Sequence, residues 1–211
     1  MQPPATITIS RQLGSGGSYL GQKLAAALDF RYVDREVLQR ATAELGASEE
    51  LIARREERVQ AWWERVLDSM GAGAADWMYV PPPLPALSDH GLFAVENRIM
   101  VEMALADDCV FIGRGGFRVL PPSPRKIDLF IHAPAEYRAR RVMVLYGTPS
   151  EEEARAIVAE SDLSRHRFVA EMCDADWTDA GNYHLAVDSS RLSLDKLAAR
   201  LTDFVREMLV G

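Results

Sequence analysis

The feature that most constrains this chain lies near its amino terminus. Thr6-Ile7-Thr8-Ile9-Ser10 is short and β-branched, and it reads as a strand. Gly14-Ser15-Gly16-Gly17 follows at once, and Tyr19 to Leu28 then carries Leu20, Leu24 and Leu28 on one helical face. A strand, a glycine turn and a helix in this order make an anion site. The glycines let backbone N–H groups point inward, and the start of the helix adds partial positive charge. A tight strand-to-helix turn with no ligand is the other reading of such dense glycine.

The rest of the chain repeats the alternation. Arg31-Tyr32-Val33 reads as a second strand ending at Asp34. Helices are expected over 35–45 and 49–70, then an irregular loop over 71–89 that holds Pro81-Pro82-Pro83. A helix over 92–105 precedes Cys109-Val110-Phe111-Ile112-Gly113, a continuous apolar run suited to a central parallel strand. A helical stretch to Leu120, a strand over 127–131 and a helix over 134–146 follow. Ser150 and Glu153 have the spacing of an N-terminal capping box, opening a helix to about 172. A strand over 184–187 and an amphipathic helix over 192–209 close the chain. The implied class is α/β: three layers, with a parallel sheet covered by helices on both faces.

Composition narrows the function. The chain has 211 residues, enough for one domain with insertions. Its formal charge of -7 argues against a nucleic-acid binder. Lys23, Lys126 and Lys196 are its only lysines, so its cations are nearly all arginines, which grip phosphate bidentately. Cys109 and Cys173 form neither a disulfide framework nor a zinc spacing, which fits a reducing cytoplasm. No signal peptide or membrane-spanning run is expected.

The glycine turn meets neither standard pattern in full. A P-loop reads G-x-x-x-x-G-K-[ST], and a dinucleotide fold reads G-x-G-x-x-G. Setting Gly16-Gly17-Ser18 on the first leaves Arg11 at the first glycine and Gly17 at the lysine. Setting Gly14 and Gly16 on the second leaves Tyr19 at the third glycine, although Asp34 lies at a distance suited to a ribose-binding acid.

The stretch ITISRQLGSGGSYLGQKLAAALDFRYVDREVL resembles the opening of the cytidylate kinase-like family. CVFIGRGGFRVL, DLFIHAPAEYRARR, ESDLSRHR and NYHLAVDSSRLSLDKL resemble later blocks of that family in the same order. The resemblance leaves out roughly residues 46–90. It implies a P-loop kinase core with two insertions: a helical monophosphate-binding arm within 35–106 and a lid within 145–178. It also implies transfer of the ATP γ-phosphoryl group to CMP, dCMP or a similar monophosphate, with Mg²⁺.

Under that resemblance Gly14, Ser15, Gly16, Gly17 and Ser18 would hold the donor phosphates, and the Ser18 hydroxyl would ligate Mg²⁺. Arg11 would replace the missing lysine, unless it is merely solvated. Arg114 ends a buried strand and would bind the acceptor phosphate, a salt bridge being the other reading. Asp34 would touch the acceptor or cap the next helix, and Arg98 would join the acceptor site or lie on a helix surface. Arg138 and Arg141 share a helix face, and Arg165 and Arg167 follow Asp162 in the lid. These four arginines would neutralise the transferring phosphoryl group, unless they are ordinary solvated charge. Two other functions stay open: a non-catalytic nucleotide sensor, suggested by the absent lysine, and a dinucleotide-binding enzyme. Trp62, Trp63 and Trp77 suggest helix packing or a homodimer contact.

Overall fold

The computed structural model describes residues 2–34 and 90–210. The helices expected over 35–45 and 49–70, the loop over 71–89, most of the arm and the tryptophan-based dimer contact lie outside the described residues.

The described residues form five strands and six helices. In chain order these are β1 (Thr6–Arg11), α1 (Gly17–Leu28), β2 (Arg31–Val33), α2 (His90–Ala106), β3 (Cys109–Ile112) and α3 (Gly116–Val119). They continue with β4 (Lys126–His132), α4 (Ala135–Tyr146), α5 (Glu151–Cys173), β5 (Leu185–Asp188) and α6 (Leu194–Val210). The sheet is parallel throughout, in the order β2-β3-β1-β4-β5. β1 is central, with Thr6 opposite both Cys109 and Lys126.

Burial on both faces explains the strand composition. Ile7, Ile9, Val110, Ile112, Ile127, Leu129 and Ile131 pack beneath Leu20 and Leu24 of α1 and Leu197, Leu201 and Val205 of α6. The opposite face carries two clusters. Phe111 and Cys109 meet Ile99, Met100 and Met103 of α2, while Phe130 meets Phe117, Val169 and Trp177. Helices therefore cover both faces of the sheet, as the strand-helix alternation implies. Among the described residues no helix is long and apolar enough to cross a membrane.

The lid expected over 145–178 contains one 23-residue helix, α5. Ser150 caps it: its hydroxyl oxygen accepts from the Glu153 N–H at 3.1 Å. Glu151, Glu152 and Glu153 place negative charge on the positive end of the helix. One face of α5 is tied down along its length, with Ala154, Val158, Arg165 and Val169 buried. Ala154 and Val158 join Leu13, Ala139, Val142 and Tyr146 in a cluster between α4 and α5. Phe168 meets Phe93 of α2 edge-to-face at 5.4 Å.

Candidate phosphate site

β1 delivers the glycine turn to the carboxyl end of the sheet, where parallel α/β folds bind ligands. Gly14 and Gly16 have φ of 80° and 84°, a region that costs other residues about 1–2 kcal/mol. Both also lack room for a side chain. A Cβ on Gly14 would sit 2.7 Å from the Arg138 carbonyl oxygen, and one on Gly16 would sit 2.7 Å from Leu194. Gly16 is the N-cap of α1 and supplies no capping side chain. The first helical hydrogen bond runs from the Leu20 N–H to the Gly16 carbonyl, so the amides of Gly17, Ser18 and Tyr19 precede the helical ladder. Ser15 is buried, its amide and hydroxyl both donating to the Gln12 carbonyl. Ser18 lies nearly buried in the first turn of α1.

The place of the absent lysine is filled. A Cβ on Gly17 would lie 2.4 Å from Arg11 Cβ and 2.9 Å from Arg11 Cγ. The Arg11 stem therefore occupies the space a side chain at position 17 would need. Its guanidinium then crosses to the end of β3, where a Cβ on Gly113 would lie only 2.0 Å from Nη1. Two glycines on different elements vacate the volume of one arginine. Arg11 Nε is buried and has no hydrogen-bond partner among the described residues.

Arg165 shares this region. It is 8% exposed, and its Nη1 donates to Ser161 Oγ at 2.6 Å. Burial, and then the neighbouring Arg11 charge, push it down to about 9. A guanidinium keeps its proton even so. The shift expresses a buried cation short of counter-charge: among the described residues Arg11 and Arg138 press on Arg165, and the Asp162 carboxylate offsets them. Burial also raises the Tyr146 phenol beside them.

The other arginines separate. Arg138 is buried and bound on several sides: Nε donates to the Ala133 carbonyl at 2.8 Å, and Nη1 to the Leu13 carbonyl at 3.4 Å. Its two Nη atoms also reach the two oxygens of Asp162, at 3.2 and 2.9 Å. Arg141 lies partly exposed, 5.9 Å from the Tyr137 ring centre, and Arg167 is exposed on α5. The pair expected to share a face, Arg138 and Arg141, thus divides. Residues 138 and 141 fall on either side of the burial edge of α4. Residues 165 and 167 fall on opposite sides of α5, since positions two apart on a helix do not face each other.

On the acceptor side Arg114 has φ of 55° between Gly113 at 75° and Gly115 at 67°. This left-handed run turns Arg114 back towards α2, where Nη2 pairs with Glu96 at 3.1 Å. Glu96 is 1% exposed. The sequence reading missed it, although its spacing was the available signal: it continues the apolar face of Phe93, Met100 and Met103, where a carboxylate needs a partner. Arg98 is exposed on the same helix. Asp34 accepts from the Tyr32 hydroxyl at 3.3 Å. The sheet order puts β3 between β2 and β1, so Asp34 stands two strand spacings from the glycine strand, roughly 10 Å. In a dinucleotide fold the second strand lies directly beside the first, so this topology counts against that alternative.

The cradle fits a phosphorylated ligand. Its glycines bring backbone close, its helix start is uncapped, and its cations outnumber its carboxylates. Among the described residues no group of three or more His, Cys, Asp or Glu side chains is arranged for a metal. Mg²⁺ held mainly by phosphates and water needs only one or two protein oxygens, and Ser18 carries a hydroxyl in the first turn of α1.

Comparison with known proteins agrees with this fold. An uncharacterized protein from Eubacterium ventriosum ATCC 27560 superimposes with a TM-score of 0.69 at 17% identity, covering 96% of this chain and 98% of its own. A shikimate kinase from Bacteroides thetaiotaomicron matches with a TM-score of 0.52 at 13% identity, over 96% and 98% of the two chains. A gluconokinase from Sinorhizobium meliloti 1021 matches with a TM-score of 0.52 at 13% identity, over 99% and 95%. At such identities these likenesses establish the fold, that of P-loop kinases. No curated protein matches the chain in sequence. The profile of the cytidylate kinase-like family matches residues 6–191, and the chain belongs to that family.

Proposed function

We propose that the protein is a nucleoside-monophosphate kinase, transferring the γ-phosphoryl group of ATP to CMP, dCMP or a similar monophosphate. The observation that carries this reading is the Arg11 side chain lying over Gly17. That stem carries a guanidinium on to the end of β3, so a cation reaches the turn although the lysine is absent.

Phosphoryl transfer asks a protein for alignment and charge neutralisation more than for covalent chemistry. The amides of Gly14, Gly16, Gly17 and Ser18 would hold the donor phosphates, while the Ser15 amide, bonded to the Gln12 carbonyl, would shape the turn. Ser18 would take one position on Mg²⁺. When bound, Mg²⁺ would supply charge neutralisation at the donor phosphates. Arg11 and Arg165 would face the transferring group, where burial keeps water from screening them. Arg114 would meet the acceptor phosphate at the end of β3, with Arg98 and Asp34 nearer the arm. Arg141 and Arg167 would engage only when the nucleotide is bound, since both face solvent at least in part.

The test is a coupled assay with ATP, Mg²⁺ and each monophosphate in turn. Turnover of CMP or dCMP above the others is the expected result. ATP binding with turnover of no monophosphate would instead make the protein a sensor. Arg11→Ala is expected to lower ATP-dependent turnover at least about tenfold, or about 1.4 kcal/mol. Unchanged kinetics would remove Arg11 from the site.

A further inference from the structure

The arginine that sequence reasoning sends to the phosphates with the others, Arg138, has almost nothing left to give a ligand. A guanidinium carries five N–H donors in a fixed fork. The Nε donor is held by the Ala133 carbonyl, Nη1 serves both Leu13 and Asp162, and Nη2 pairs with the other Asp162 oxygen. The four partners lie on three separate pieces of structure. Ala133 precedes α4, Leu13 belongs to the glycine turn, and Asp162 sits midway along α5.

Two further contacts tie the same pieces together. The Leu13 side chain is buried in the cluster between α4 and α5, among Ala139, Val142, Tyr146, Ala154 and Val158. Gly14 rests directly on α4, its missing Cβ facing the Arg138 carbonyl and Cβ at 2.7 and 3.0 Å. The glycine turn is thus held through one side chain, one carbonyl and one close backbone approach, all to the α4–α5 pair. Asp162 also lies three residues before Arg165, on neighbouring positions of one helix face. Whatever fixes Asp162 fixes the rotation of α5 that buries Arg165 near Arg11.

We propose that Arg138 and Asp162 are positioning residues, a buried ion-paired strut that sets the shape of the glycine turn through Leu13 and seats Arg165 beside it. The strut makes the turn and the α5 helix one mechanical unit. α5 cannot leave α4 without stripping Asp162 from a buried guanidinium and withdrawing the wall on which Leu13 packs. Opening of the lid and loosening of the phosphate cradle then become the same event. The effect on ligand binding rests on the functional reading above; the effect on the turn does not.

The test separates the two. Arg138→Met combined with Asp162→Leu removes both partners of the pair at similar volume, so that neither is left facing the other's absence. Hydrogen exchange is followed, without nucleotide, at the bonded amides of Gln12, Ser15 and Leu20, with Leu129 and Ile131 of β4 as internal references. The strut predicts exchange at the turn at least about tenfold faster, beyond any change in the references. Exchange in step with the references overturns it. Leu13→Ala keeps both charges, removes the apolar anchor, and is expected to loosen the same amides; its failure to do so also overturns the proposal. Calorimetry with a non-hydrolysable ATP analogue then reads the consequence, a loss of affinity of at least about tenfold in the double variant. If the parent protein binds no analogue, the kinase reading falls while the exchange comparison still decides the strut. If the parent binds and the double variant binds equally well, the strut falls.

Discussion

At the scale of single residues the glycine turn is packed against an arginine stem at the position where the usual pattern has a lysine. A side chain belongs at residue 17 in the usual pattern, yet Gly17 and Gly113 both stand aside for Arg11. Gly113→Ala therefore tests the arrangement without touching Arg11. Its Cβ would fall 2.0 Å from Nη1 at a φ of 75°, at a backbone cost of about 1–2 kcal/mol. Turnover should fall towards that of Arg11→Ala, and activity at the parental level would mean that the guanidinium is not needed where it lies. The glycine turn and the identity of Arg11 as the odd residue in it were legible from spacing alone. The partition among Arg138, Arg141, Arg165 and Arg167 was not. Helical spacing says which residues share a side but not where the neighbouring helix begins to cover it. The burial of Arg138 is decided by Leu13 and Asp162, which lie far away in sequence. Glu96 was visible in principle as a carboxylate on an apolar face, but its partner Arg114 reaches it only through a left-handed turn.

Among elements, helix starts and turns follow local chemistry closely. The Ser150 cap lies where the capping signature puts it, because its hydroxyl competes with nothing else for the Glu153 amide. Ser150→Ala should cost about 1 kcal/mol, read as a lowered melting temperature. An unchanged melting point would mean that α5 is held by packing alone. The turn that leads from β5 into α6 rests on Asp188, which accepts from the Ser190 amide at 2.9 Å and hydroxyl at 2.7 Å. These bonds, with Arg191, hold the Asp188 carboxyl below its usual 3.8. A depressed carboxylate contributes stability above its unfolded value and loses it as pH falls through its folded value. The Asp188 carboxyl, followed by NMR, should therefore titrate below 3.8 and return towards it in Ser190→Ala. A titration unmoved by that substitution would place the cause elsewhere. Strand ends were the least legible feature. β1 runs on to Arg11 and β4 from Lys126 to His132, because pairing with neighbours extends strands beyond their β-branched cores.

For the molecule as a whole, two faces of one sheet do different work. The face under α1 and α6 is uniformly apolar, and Leu201 is 2% exposed within it. Leu201→Ala should cost about 2–5 kcal/mol, measured by denaturant titration, and a loss below that range would mean that α6 settles into the gap. The opposite face meets α2, α3 and the end of α5, and there the packing reaches the ligand end of the sheet. Gly115, the residue after Gly113-Arg114, faces the last residue of α5: a Cβ there would lie 2.3 Å from Cys173 Sγ. A side chain at 115 would meet that sulfur, which would have to turn aside, at a backbone φ of 67°. Cys173→Ala would clear that contact and leave the left-handed φ as the remaining cost of a side chain at 115.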